Sequence, residues 1–412
     1  MNKKNVIEKI TPRRVFDSRG NPTIEVDIIT NNEIVGRAMA PSCASTGSRE
    51  ALELRDDDDM FDGLDIKKSI NIINNQVSPL LIGLSCLEQE EFDNVIKNFD
   101  NTDNKSNIGG NTSIALSLAN YLCAAKYKET SLFRYIAKKQ KLKIPNPEIQ
   151  IFGGGAHAAN LPTFQDFLIY SPNNIAILDF FEKTHRIMNQ LKKDLREKNL
   201  LKGYSDEGGF WPHKIYHEEI CILIEDAAKR CKFEMGKDIA ISIDVAASEF
   251  FLDNSYRLYN KEHSADQIIS ILKDLNQNHY VNLIEDPFDE NDIDSFIKLK
   301  NNKEIDLKII GDDLICTNLK LLKKAHKKKA IDGIIVKPNQ CGTITETINV
   351  INYCKENNIE TILSARSGDT EENYLSHLAV GWDIDMIKVG SFSRSERTSK
   401  WNEMLRIKEL IQ

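Results

Sequence analysis

Hydrophobic and polar positions change rhythm twice along the chain. In "TIEVDI" (Thr23–Ile28) apolar residues alternate with polar ones, the period of a half-buried strand, between turn signals at Gly20-Asn21-Pro22 and Asn31-Asn32. The stretch from Arg13 to Pro41 therefore predicts an antiparallel meander. From Ile66 to about Lys139 apolar residues recur at helical spacing, most clearly in "NTSIALSLANYLCAAKYKETSLFRYIAKK". Strands followed by helices make an α+β unit over residues 1–140. "KIPNPEIQI", with two prolines, then punctuates the chain and opens a second region over 141–412.

In that second region an apolar strand ending in a polar residue alternates with a helical segment. The strands are "IAISID", "YVNLIED", "LKIIGDD", "DGIIVKPN", "TILSARSG" and "DMIKVG". Their polar ends fall at positions 244, 285, 312, 337, 366 and 388, at intervals of 22 to 41 residues, about one strand-helix unit each. Six such units predict an α/β barrel of parallel strands. A doubly wound open sheet is the alternative, and it would normally carry a glycine-rich phosphate loop after its first strand, which this chain lacks.

Composition narrows the function classes. With 412 residues, 41% hydrophobic and 28% charged, the chain has material for two domains, and no apolar run approaches a membrane span. The start, "MNKKNVIEKITPRR", has no apolar core or small-residue cleavage site, so a cytoplasmic location is expected. A net charge of −8 argues against a nucleic-acid surface. The basic run Lys320–Ala330 reads as the solvated face of a helix, and "RDDDDM" (Arg55–Met60) as an exposed loop or helix start. Eight scattered cysteines without a C-x-x-C pair read as free thiols.

In a barrel the carboxyl ends of the strands share one face, so their terminal residues become neighbours. Here they are Asp244, Glu285, Asp312, Lys337, Arg366 with Ser367, and Lys388. Any single acid is more simply a helix cap. Three acids and two lysines at successive ends are not, and Asp286 and Asp313, one residue further on, are the better caps. Three converging carboxylates form a hard oxygen site suited to Mg²⁺ and would repel one another without a cation. Lys337 and Lys388 are candidates for a general base, since burial favours the neutral amine; each could equally pair with a barrel carboxylate. Arg366 and Ser367 offer donors suited to phosphate or carboxylate oxygens.

Three loops complete the candidate chemistry. "SDEGGFW" presents Glu207, "FGGGAHAANLPTFQDF" presents His157, Gln165 and Asp166, and "APSCASTGSREALELRD" (Ala40–Asp56) carries Ser45 and Thr46 beside Gly47. Such loops can close over a substrate and bring an acid to the face opposite the base, though an isolated Gly-Gly is more often a surface turn.

"DSRGNPTIEV", "SDEGGF", "SIDVAASEFF", "IEDPF", "GDDLICTN", "KPNQCGT", "SARSGDTEE" and "IKVGSFSRSER" stand in the order of, and resemble, the motifs of the enolase family nearly end to end. The resemblance implies an N-terminal α+β domain followed by an eight-stranded mixed α/β barrel, two Mg²⁺ ions, and interconversion of 2-phosphoglycerate and phosphoenolpyruvate. It implies that Asp244, Glu285 and Asp312 hold one Mg²⁺ and that Ser45 helps hold the second. It assigns the α-proton to Lys337, the substrate carboxylate to Lys388, acid chemistry to Glu207 with Asp166, and the phosphate to Arg366 and Ser367, with His157 and Gln165 assisting. It further implies a homodimer paired through Arg19, Glu25, Arg406 and Glu409.

The sequence also departs from the family pattern. Ala365 stands where the pattern has a histidine, Asp166 where it has a glutamate, Gly153 where it has an asparagine, and Cys43 where it has a glycine. The changes gather on the acid side, whereas the metal ligands and both lysines are intact. Two alternatives follow: a relative acting on another phosphorylated or phosphonate acid, and a catalytically silent binding protein of the same fold.

Overall fold

The computed structural model describes residues 5–43, 47–138, 141–155, 161–212, 215–259 and 261–411. The predicted meander is present: strands Ile7–Phe16, Pro22–Thr30 and Val35–Met39 pair antiparallel in chain order. Alternation puts Ile24, Val26 and Ile28 on the covered face, where the helix Gly110–Tyr127 packs. That helix is buried along nearly its whole length, since it lies between this sheet and the second region. Asp56, at the head of the acidic run, accepts from the amides of Lys67 and Lys68, 2.8 Å each, and so caps the first helix after the meander.

The second region is a closed barrel of eight strands: Asn146–Gly155, Leu161–Tyr170, Ala240–Asp244, Val281–Glu285, Lys308–Gly311, Gly333–Val336, Glu360–Ser364 and Met386–Gly390. The last strand pairs parallel with the first, which closes it. The second strand runs antiparallel to both its neighbours, so the barrel is mixed. The six strands read from the sequence are its third to eighth. The first two were hidden because "NPEIQIFGGG" and "LPTFQDFLIY" carry Pro, Gly and charge where a buried strand normally shows Val and Ile.

Inside the barrel, Leu283, Ile310, Ile335, Ile362 and Met386 form an apolar layer against Tyr170. Outside, amphipathic helices cover the strands; Ile177–Glu197 buries Phe180, Phe181, Ile187 and Leu191, and Ala265–Asn278 starts at a Ser264/Gln267 capping box. The basic run behaves as expected: the helix Leu319–Lys327 buries Leu322 and Ala325 and leaves its lysines outward. All eight cysteines are free thiols. Among the described residues no helix is long and apolar enough to cross a membrane.

Candidate active site

Strand register decides who meets whom at the barrel mouth. Asp244 is the lateral partner of both Asp166 and Glu285, and Lys388 of Ser364. Because register partners on paired strands point to the same face, the acids and the lysine enter one space. Lys388 Nζ donates to Asp244 Oδ2 at 2.9 Å and Glu285 Oε2 at 2.6 Å, with Asp166 Oδ2 at 3.9 Å. At the ends of the fifth and sixth strands Lys337 Nζ donates to Asp312 Oδ2, and Gln340 Nε2 donates to Asp312 Oδ1 at 2.9 Å. Asp286 and Asp313 are not the helix caps expected of them, since Asp292 and Asn318 cap the two following helices; Asp286 instead accepts from the amides of Asp312 (2.9 Å) and Asp313 (2.6 Å) and so fixes Asp312.

The electrostatics are those of anions in excess. Glu148, Asp166, Asp244, Glu285 and Asp312, all buried, face Lys337 and Lys388: five carboxylates against two ammonium groups. Burial and then the Asp244 charge push Glu285 well above the usual carboxylate range. Burial also works against the ammonium forms of both lysines. For Lys337 the Asp312, Glu285 and Glu50 charges together outweigh it, and for Lys388 the Asp244, Glu285, Asp166 and Glu148 charges do, so both are held above an ordinary lysine. The expectation that burial would favour the neutral amine is thus reversed, because anions face each one at hydrogen-bonding distance.

The donor set suits a hard cation. Glu285 Oε1 is buried without a hydrogen-bond partner among the described residues, an orphan that a metal would satisfy. As the side chains stand, lysine ammonium groups take up the carboxylate oxygens, and among the described residues no three His, Cys, Asp or Glu side chains are already grouped as a metal cage. Ser45, the expected ligand of a second metal, lies outside the described residues, as does His157.

The acid side is built around a residue that the sequence reading passed over. Gln150 donates through Nε2 to Asp166 and, at 3.3 Å, to Glu207 Oε2, while its Oε1 accepts from Ser205 Oγ and Gly209 N, 2.9 Å each. One amide therefore ties the first barrel strand to the "SDEGGF" loop and positions both acids. The glycine at 153 belongs to the same packing: a Cβ there would sit 2.4 Å from Ser205 Cβ. Gln165 donates to Asp244 Oδ2 at 3.3 Å. The only sequence signal for Gln150 was a polar residue alternating into an apolar run.

Arg366 and Ser367 are buried at the mouth, at 4% and 5% exposure. Arg366 donates to both oxygens of Glu50, at 2.8 and 3.2 Å, and to Asn339 Oδ1 at 3.3 Å. Glu50 comes from the Ala40–Asp56 loop, so this pair joins the two regions of the chain. Beneath, the fully buried Arg397 donates to the carbonyls of Arg366 (2.7 Å) and Ser367 (2.6 Å), fixing their backbone. Ser42 and Gly368 exchange two backbone hydrogen bonds, and a Cβ on Gly368 would lie 2.4 Å from Ser42 Oγ and 2.6 Å from Arg19 Nη2, so any larger residue would have to displace these side chains. Ala365 borders a mostly apolar cavity of about 20 Å³, room for about one water, lined also by Ile114, Leu118, Tyr374 and Leu378.

Of the residues expected at a subunit interface, Glu25 is buried and bonded to Arg13 within the chain, and Arg19 lies near Asp17 and Asp206. Arg406 and Glu409 are exposed on the last helix, with Arg406 2.7 Å from Glu403.

Two family models cover this architecture in the same order: "Enolase, N-terminal domain" matches residues 7–136 and "Enolase, C-terminal TIM barrel domain" residues 141–412. The chain is 38% identical to the enolase of Ehrlichia chaffeensis over 406 residues, 98% of this chain and 96% of that protein. It is 38% identical to the enolase of Ehrlichia canis and 36% to that of Ehrlichia ruminantium over the same shares. With both regions matched and carboxylates and lysines gathered at one barrel mouth, the chain belongs to the enolase family of carbon–oxygen hydro-lyases.

Proposed function

We propose that the chain is a Mg²⁺-dependent lyase that removes the α-proton of 2-phosphoglycerate and eliminates the β-hydroxyl as water, giving phosphoenolpyruvate, and that it runs the reverse addition. The observation that carries this reading is that Lys337 and Lys388, at the ends of the sixth and eighth barrel strands, each pair with acids of one carboxylate-lined mouth, with Arg366 from the strand between them. Asp244, Glu285 and Asp312 would hold the cation, with Ser45 helping to hold a second; bound there, it would neutralise the charge that builds on the substrate carboxylate.

The chain's own groups divide the remaining work. Lys388 Nζ pairs with the substrate carboxylate and fixes its plane. Lys337 Nζ would take the α-proton as the neutral amine, a form favoured once the Asp312 charge that now holds its ammonium is shared with a bound cation. On the far side Glu207, held with Asp166 by Gln150, gives a proton to the departing hydroxyl. Arg366 and Ser367 face the phosphate, with His157 and Gln165 assisting. A homodimer through Arg19, Glu25, Arg406 and Glu409 is part of the same proposal.

The test follows purified protein with 2-phosphoglycerate and Mg²⁺ by the ultraviolet absorbance of the enol product, and by loss of α-deuterium to water. Activity that is absent with Mg²⁺, or unchanged by a chelator, overturns the reading. A second reading, a related phosphorylated or phosphonate acid as substrate, is favoured by Ala365 and the cavity beside it. Deuterium exchange without elimination supports it, and Ala365→His should then raise turnover of 2-phosphoglycerate. Neither signal leaves a silent binding protein.

A further inference from the structure

Glu148 lies inside the barrel, one pleat below Gln150 on the first strand, and is fully buried. Buried in a barrel whose interior also holds the apolar cluster Leu283, Ile310, Ile335, Ile362 and Met386, a carboxylate is costly unless something compensates it. Neither of its oxygens accepts a hydrogen bond of normal geometry among the described residues, although the Ser242 hydroxyl is near enough to favour its charge. Its register partner on the neighbouring parallel strand is Lys388. Among the described residues Lys388 is the cation that acts most strongly on Glu148, and Asp244, Asp166 and Tyr170 are further titratable groups around it.

Lys388 now rests on Asp244 and Glu285, at 2.9 and 2.6 Å. Both are ligands in the reading proposed above, on which this inference rests. An ammonium group sharing those oxygens repels an incoming divalent ion and competes with it for the same lone pairs. A buried ammonium needs another anion before it can release them. We infer that Glu148 is a positioning residue for Lys388: it holds the ammonium from beneath, so that Asp244 and Glu285 can give their oxygens to the metal and Lys388 stays aimed at the substrate carboxylate.

The experiment titrates Mg²⁺ into the full chain by calorimetry, without substrate, and repeats it with Mn²⁺ read by electron paramagnetic resonance. Glu148→Gln should weaken cation binding on the order of tenfold, the effect typical of outer residues that orient ligands. It should also raise KM for 2-phosphoglycerate more than it lowers kcat, with Glu148→Asp between the two. In a Lys388→Met background Glu148→Gln should change cation affinity no further, which separates action through Lys388 from a general loss of negative charge. If the amide variant does not fold, Glu148→Met, which suits the apolar layer, carries the same expectations. Wild type that binds Mg²⁺ while the Gln and Met variants match its affinity and KM overturns this inference alone. Equal weakening with and without Lys388 also overturns it. Wild type that binds no Mg²⁺ overturns the proposed function, and this inference with it.

Discussion

Removing the carboxylate of Glu50 gives the sharpest test of how the two regions of the chain are joined. Glu50 and Arg366 are each 4% exposed, and two of the guanidinium's donors reach its two oxygens at 2.8 and 3.2 Å. At such a separation and an effective dielectric near 20 the attraction is roughly 5 kcal/mol, and breaking a buried pair by removing one partner typically costs about 3–5 kcal/mol, because the other charge is stranded. Glu50→Gln keeps the shape and one acceptor, so a loss of about 3 kcal/mol is expected. Denaturant unfolding, followed by the signal of the Ala40–Asp56 loop and by circular dichroism, measures it. Arg366→Met should cost a similar amount. The double variant should recover much of the loss, since the buried pair is then removed as a unit. A Glu50→Gln protein within about 1 kcal/mol of wild type, or losses that add in the double variant, would refute the view that this pair locks the loop to the barrel.

Other expectations are as direct. Lys337→Ala should lower α-deuterium exchange by a factor of about 10² to 10⁴ while substrate still binds, as read by equilibrium dialysis. Gly368→Ala would put a Cβ 2.4 Å from Ser42 Oγ, and the overpacking should cost about 1–3 kcal/mol and speed proteolysis between Ala40 and Asp56. Glu372 accepts from Met39 N at 2.8 Å, and burial, against the amide bond and Lys400, pushes it up to about 8. Its folded pKa thus lies above its unfolded value, so the folded state holds the extra proton and stability should fall as pH rises from about 4.5 to 8. Thermal melts of Glu372→Gln should be flatter over that window; an identical slope would remove Glu372 as the cause.

Legibility tracked how strongly each residue departs from what its local pattern alone would allow. The third to eighth barrel strands were readable because short β-branched runs end in charged residues, an expensive arrangement that local structure does not call for. The first two strands were not, since their Pro, Gly, Gln and acids resemble a linker until barrel closure buries them. Asp244, Glu285, Asp312, Lys337 and Lys388 were legible as a set for the same reason as the strands that carry them. Gln150, Glu148, Glu50, Asn339, Gln340 and Arg397 were silent, because each acts through a partner 16 or more residues away in sequence, at separations of up to 316.

By itself the sequence determined the order of the two regions, the strand-helix rhythm of the barrel, the family, and the residue types brought to the mouth, since periodicity and motif spacing are properties of the chain read in one dimension. Only the tertiary structure decided that Lys388 lies across Asp244 and Glu285, that Glu50 holds Arg366, and that Glu148 is the strand partner of Lys388 inside the barrel. Those contacts depend on strand register and barrel closure, and a shift of one residue along any strand would turn the side chain away from the shared interior.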